Sequence, residues 1–137
     1  MTRTDFQELA EVRIDEARVL LAQAKYDGAY YLAGYAVECA LKACIAKLTR
    51  ADEFPDKVFA QQCFTHSIGT LLALAGLAGQ RDADMATDLD FTDNWVMVLK
   101  WTESSRYARK TQADAQELYD AITDASHGVL PWLRLRW

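Results

Sequence analysis

No stretch of this chain of 137 residues approaches the eighteen or more consecutive apolar residues of a membrane span. The opening MTRTDFQELAEVRIDEARVLL is interrupted by charge every few residues and has no continuous apolar segment of a signal peptide. These absences predict a soluble, cytoplasmic protein that does not enter membranes. Cysteine is scarce and odd in number: Cys39, Cys44 and Cys63 form no C-x-x-C pair, and the first two lie inside a helical run. They read as small hydrophobes in a reducing compartment. Two histidines and three cysteines show none of the spacings zinc uses, so no metal site and no cofactor are expected. There is also no Gly-rich phosphate loop, no G-x-S-x-G and no Cys/His dyad. Alternating strand segments, hairpin signals, solenoid repeats and low-complexity tracts are absent as well.

What is present is helical patterning over most of the chain. The composition is 51% hydrophobic and 26% charged, within the globular range. A chain of this size buries about two-thirds of the surface it exposes when unfolded. One domain over residues 1–137 is the expectation. The net charge of -5 repels nucleic acid and anionic membranes as a whole, so any such partner has to meet a local basic patch.

The organising stretch is Asp27 to Leu48. Tyr31, Tyr35, Glu38 and Lys42 follow at four, three and four residues, which at about 100° per residue places them on one narrow stripe of a helix. Leu32, Ala36, Ala40 and Ala43 fill one flank and Val37, Leu41, Cys44 and Leu48 the other. This is the pattern of a helix surrounded by others.

The remaining elements are arranged around it. A first helix capped at Thr4 or Asp5 turns Phe6, Leu9, Ile14, Ala17, Leu21 and Ala24 inward, with Gln7, Glu11, Asp15 and Arg18 outward. A turn at Tyr26–Gly28 returns the chain antiparallel. Thr49 to Gln62 reads as a loop with one helical turn. Thr65 then caps a compact helix from His66 through Leu77, which the polar run Gln80 to Asp84 closes. A fourth helix starts after Thr92 or Asp93 and carries Trp95, Leu99, Thr102 and Arg106 on one stripe. The last, QADAQELYDAITDA, turns Ala115, Leu118, Ile122 and Ala125 inward, and Gly128 and Pro131 weaken or kink it before an apolar tail resumes. The fold class is all-α: an up-and-down antiparallel four-helix bundle with an additional short helix.

The runs AYYLAGYAVECALKACIAKL, HSIGTLLALAGL and WVMVLKWTESSRY together resemble the HEPN domain, in the prokaryotic branch associated with minimal nucleotidyltransferases. The resemblance implies an antiparallel bundle that forms a homodimer, with a cleft that binds RNA or a nucleotide. It also implies a nucleotidyltransferase partner protein, in a toxin–antitoxin or defence-type system, and no role for DNA. Many members are metal-independent endoribonucleases with an Arg, four to six residues, then a His. Neither histidine here fits. The residues at that distance before His127 are Asp120, Ala121 and Ile122, those before His66 are Phe59, Ala60 and Gln61, and Arg106 is followed there by Thr111, Gln112 and Ala113.

Four residues are candidates for holding phosphate: Lys42, His66, Arg106 and Tyr107, with Tyr35 and Glu38 in support. Glu38 and Lys42 stand one helical turn apart in the favourable order; they suit a structural ion pair or a cleft in which Lys42 meets phosphate. His66 lies near a helix start, where free N–H groups favour anions. Arg106 and Tyr107, with Arg109 and Lys110 behind them, form a dense basic patch that serves equally to complement a helix C-terminus. His127 has no local partner and reads as a surface residue. Trp101 and Trp132 read as core or interface, and the closing LRLRW as a docking C-terminal helix or, alternatively, an indole that stacks on a base. Three functions stay open: a nucleotide- or RNA-binding module, a ribonuclease with a divergent site using Arg106 and His66, and a purely structural assembly domain.

Overall fold

The computed structural model describes Met1–Trp137 and contains eight α-helices, one 3₁₀ turn and no strand. The helices are α1 (Arg3–Ala22), α2 (Tyr26–Leu48), α3 (Lys57–Gln62), α4 (Ile68–Leu74), α5 (Ala78–Met85), α6 (Leu89–Leu99), α7 (Gln112–Thr123) and α8 (Val129–Arg134). The 3₁₀ turn, Glu103–Tyr107, lies between α6 and α7. The all-α bundle is as the periodicity predicts, with α1, α2, α6 and α7 its long members. No helix is long and apolar enough to cross a membrane.

Helix α2 is the centre. Ala33, Ala36, Val37, Ala40, Leu41 and Ala43 are fully buried, and the helix packs against α1, α4, α7, α8 and the 3₁₀ turn. Its small residues let these neighbours approach closely. Ala10, Ile14 and Ala17 are the buried face of α1, and Ala115, Leu118, Ala121 and Ile122 that of α7. The Asp27 carboxylate accepts from the backbone N–H of Lys110 at 2.6 Å, tying the start of α2 to the approach to α7. Trp95, fully buried, packs edge-on against Trp132 with ring centroids 5.8 Å apart. Helix α8 docks as the tail's pattern suggests: Val129, Leu130 and Leu133 are buried, and Arg134 holds Glu11 of α1 at 2.7 Å. Pro131 sits in the first turn of α8, where its missing N–H has no intrahelical role.

Several boundaries differ from the sequence expectation. Helix α1 is capped by Thr2 rather than Thr4 or Asp5; the Thr2 hydroxyl and the Asp5 carboxylate form a reciprocal capping box. Residues Tyr26–Gly28 are already helical, and the turn is Gln23–Lys25, with Ala24 at φ 57. Ala24 is therefore exposed, not inward. Ser67, not Thr65, caps α4 by accepting from the Thr70 N–H. That helix stops at Leu74, where Gly76 at φ 70 closes a left-handed C-terminal motif. The polar run after it is itself helix α5. Asp88 rather than Thr92 or Asp93 caps the next helix, and α7 ends at Thr123, leaving Ala125 exposed.

The most consequential difference is that α6 stops at Leu99. Beyond it the Trp101 indole lies on Gly34 of α2, where any Cβ would fall under 3.0 Å from the ring. Trp95 and Arg106 consequently share no stripe: the first is fully buried and the second exposed.

Candidate functional site

Glu38 organises the site. Its side chain is 1% exposed, in the middle of α2, and a lone carboxylate there would cost several kcal/mol through lost hydration. Two basic side chains converge on the same oxygen. Lys42 Nζ donates to Glu38 Oε1 at 2.8 Å from one helical turn further on, and His66 Nδ1 meets Oε1 at 2.9 Å from the loop before α4. Glu38 Oε2 has no hydrogen-bond partner.

His66 is held in place locally from both sides. The Thr65 hydroxyl accepts from the Ser67 N–H at 3.1 Å, and Ser67 caps α4. This loop position, ahead of the cap rather than within the first turn, lets the imidazole reach back to α2. Its second nitrogen, Nε2, lies 3.1 Å from Oε2 of Glu103 on the 3₁₀ turn. Both ring nitrogens thus lie close to carboxylate oxygens, the Nδ1 contact with hydrogen-bond geometry.

The 3₁₀ turn is positioned by Trp101 on Gly34 and by Ser105, which is buried and donates its hydroxyl to the Thr102 carbonyl. From this anchored base Glu103 reaches His66, while Arg106 and Tyr107 stay exposed. The Arg106 guanidinium lies over the Tyr107 ring, 4.9 Å from its centroid. The Tyr107 hydroxyl raises the pKa of Arg106 most, with Tyr31 and Glu103 adding to it. Tyr35 is half-buried on the same stripe, stacked on Tyr31 at 6.2 Å, and Tyr31 in turn stacks on Trp101 at 6.0 Å. Burial pushes the Tyr35 hydroxyl above its ordinary pKa, the neighbouring Cys39 and Glu38 adding to it.

Of the predicted site residues, the structure therefore joins Glu38, Lys42 and His66 directly. It links Arg106 and Tyr107 to them through the turn, and uses Tyr35 as part of the aromatic wall beside them. Glu103 was not among the predicted residues. It stands 37 positions from His66 in sequence, so no local spacing signals the contact. The weak local cue is the Ser104-Ser105 pair, a poor helix interior that marks where a new local structure begins.

Lys42 also borders a groove of about 800 Å³ whose walls include Phe6, Ile45, Phe54, Phe59 and Phe64. Phe54 and Phe64 are strongly exposed there.

A second polar cluster corrects the reading of His127 as unpartnered. Its Nδ1 meets Asp88 Oδ2 at 2.7 Å and its Nε2 faces Asp90 Oδ2 at 3.8 Å. Asp88 is simultaneously the cap of α6, and the Asn94 amide donates to the His127 carbonyl at 2.9 Å. One ligand atom from each of Asp88, Asp90 and His127 lies within 4.8 Å of the others, a grouping a divalent cation can use. In the protein itself it clamps the loop after α7 to the start of α6.

Residues 5–127 match the family model of the HEPN domain. No curated protein and no solved structure matches the chain significantly. The matched span runs from the first turn of α1 to His127 and includes every residue of the Glu38 cluster. On this match over most of its length, the chain belongs to the HEPN domain family.

Proposed function

We propose that this HEPN-domain chain is a nucleotide- or RNA-binding module whose phosphate subsite is built from Lys42, His66 and Arg106, with Tyr107 beside them. The observation that carries the reading is the convergence of two basic side chains on one buried carboxylate. Glu38 fixes Lys42 and His66 from behind, which turns the remaining Lys42 protons and His66 Nε2, now beside Glu103, outward. Arg106 adds a guanidinium from the neighbouring turn. In a protein of net charge -5, such local grouping is what an anionic ligand requires. Tyr107 provides aromatic surface of the kind on which bases stack.

The family resemblance adds a homodimer with its cleft at the subunit interface, and a minimal nucleotidyltransferase as partner in a toxin–antitoxin or defence-type setting. The exposed Phe54 and Phe64 supply apolar surface suited to a protein contact.

A second reading, metal-independent RNA cleavage, has one observation in its favour: Glu38 orients His66 through Nδ1 as a carboxylate orients a catalytic base. Against it, the Arg/His motif of the catalytic members is missing from the sequence.

Calorimetric titration with mononucleotides and a short single-stranded RNA tests these readings, after chromatography has fixed the oligomeric state. Saturable binding that Lys42→Ala and Arg106→Ala weaken at unchanged thermal midpoint supports the module. Loss of RNA cleavage in Arg106→Ala supports the ribonuclease. No binding by a stable dimer leaves an assembly domain.

A further inference from the structure

We infer that Glu103 is an internal occupant of the phosphate subsite, displaced when ligand enters, and that the ligand class able to displace it is a terminal phosphate monoester. The inference rests on the phosphate-binding reading above and specifies what that site takes.

The two carboxylates on His66 are unlike each other. Glu38 is fixed in the longest helix and 1% exposed, whereas Glu103 is 42% exposed on a five-residue 3₁₀ turn. A half-exposed ion pair of this kind is weak. Glu38 is therefore the permanent partner of His66, and Glu103 the exchangeable one. It sits 3.1 Å from Nε2, the only nitrogen of the ring that can serve a ligand.

The turn also brings the compensating charge. In a 3₁₀ helix residues i and i+3 eclipse, so Glu103 and Arg106 lie on the same side of the turn. When Glu103 leaves, His66 Nε2 is freed, with Arg106 on the same side of the turn and Lys42 sharing Glu38 Oε1 with the ring's other nitrogen.

Charge decides which anion takes that space. An internal phosphodiester carries one negative charge, the same as the carboxylate it must displace. A terminal monoester carries about -1.5 to -2 at pH 7 and three acceptor oxygens. Displacement of Glu103 is a step common to both ligands, so it lowers both affinities by the same factor. The monoester is the one with interaction to spare.

The test is calorimetric titration with AMP and with the dinucleoside monophosphate ApA, which has an internal diester and no terminal phosphate. Wild type, Glu103→Gln and Glu103→Lys are compared, and thermal midpoints check folding. In wild type AMP binds at least tenfold more tightly than ApA. Glu103→Gln strengthens both by about two- to fivefold, and Glu103→Lys strengthens AMP by more than tenfold.

AMP binding that His66→Gln weakens but Glu103→Gln leaves unchanged or lowers overturns the inference and spares the phosphate site. ApA binding as tightly as AMP in wild type overturns the monoester class. No binding of either ligand by any variant overturns the phosphate-binding reading itself, and this inference with it.

Discussion

Replacing Gly34 with Ala sets two opposing effects against each other. Helix propensity alone favours Ala by about 1 kcal/mol in the interior of a helix, and Gly34 is in the middle of α2. The added Cβ, however, would fall under 3.0 Å from Cδ1, Cγ and Nε1 of the Trp101 indole. To restore ordinary contact the ring has to retreat by about 1.5 Å. Trp101 is 3% exposed, so there is little free space to receive it. Overpacking of this kind costs about 1 to 3 kcal/mol, and full expulsion of an indole about 3 to 5. The net expectation is a loss of about 2 kcal/mol, which for a domain of this length lowers the thermal midpoint by roughly 5 to 10 °C. Circular dichroism melting measures it. In a Trp101→Ala background the clash is gone, and Gly34→Ala is expected to be neutral or stabilising, so the double-mutant cycle should show coupling of about 2 kcal/mol. A single Gly34→Ala variant that melts at or above the wild-type temperature would refute the argument, because propensity would then have won.

Other expectations are independent of the site. Ala24 occupies the left-handed position after α1 that Gly76 occupies after α4, at φ 57 and 70 respectively. Ala24→Gly should therefore stabilise and Gly76→Ala destabilise, each by about 1 kcal/mol in chemical denaturation; equal signs would contradict the assignment. Burial holds the Cys39 and Cys44 thiols up at about 11 each, and raises Cys63 too, although that residue is only half-buried. A disulfide reagent at pH 8 should modify Cys63 first and the other two only on unfolding, whereas three equivalents reacting together in the folded protein would count against it. The hydrogen bond to Asp88 raises His127 above its ordinary 6.5, while the Phe91 N–H, then His127, hold Asp88 below its ordinary 3.8. A raised base stabilises the fold fully below its unfolded value and loses that contribution as pH climbs through the folded one; a depressed acid does the reverse. The clamp should thus be strongest between the ordinary values of 3.8 and 6.5 and weaken on either side. The stability difference between wild type and His127→Gln should shrink as pH rises from 6 to 9; a constant difference would show that the clamp does not titrate.

The parts of this molecule that were legible in advance are those whose cause is local. The stripe Tyr31, Tyr35, Glu38 and Lys42 lies on one helix, so the helical period alone places Lys42 against Glu38, and the surrounding small and apolar residues mark α2 as central. His66 was recognisable as a candidate from its place before a helix. Its partners were not, because Glu38 lies 28 positions away and Glu103 lies 37 away, and only the bundle closes those distances. The run from Trp95 to Arg106 misled for a related reason. Lys100, Trp101 and Thr102 contain no helix breaker, so periodicity continues the helix through them. The helix ends at Leu99 because Trp101 finds its place on Gly34, a tertiary contact that overrides local propensity. Arg106 reads in the sequence as part of a basic patch on the stripe of Trp95; the structure puts it on another element, exposed on the 3₁₀ turn. His127 and Asp88 repeat the lesson at 39 positions apart.

The claim at the centre of this account is that Glu38 holds Lys42 and His66 as the back wall of a phosphate subsite which the 3₁₀ turn completes. The most direct measurement is an amide and imidazole chemical-shift map of the isotopically labelled protein titrated with AMP. Shifts that saturate and cluster at His66, Lys42 and Glu103–Tyr107 are predicted. Shifts confined to the surface around Tyr26 and Lys110, or no shifts at all, would contradict it.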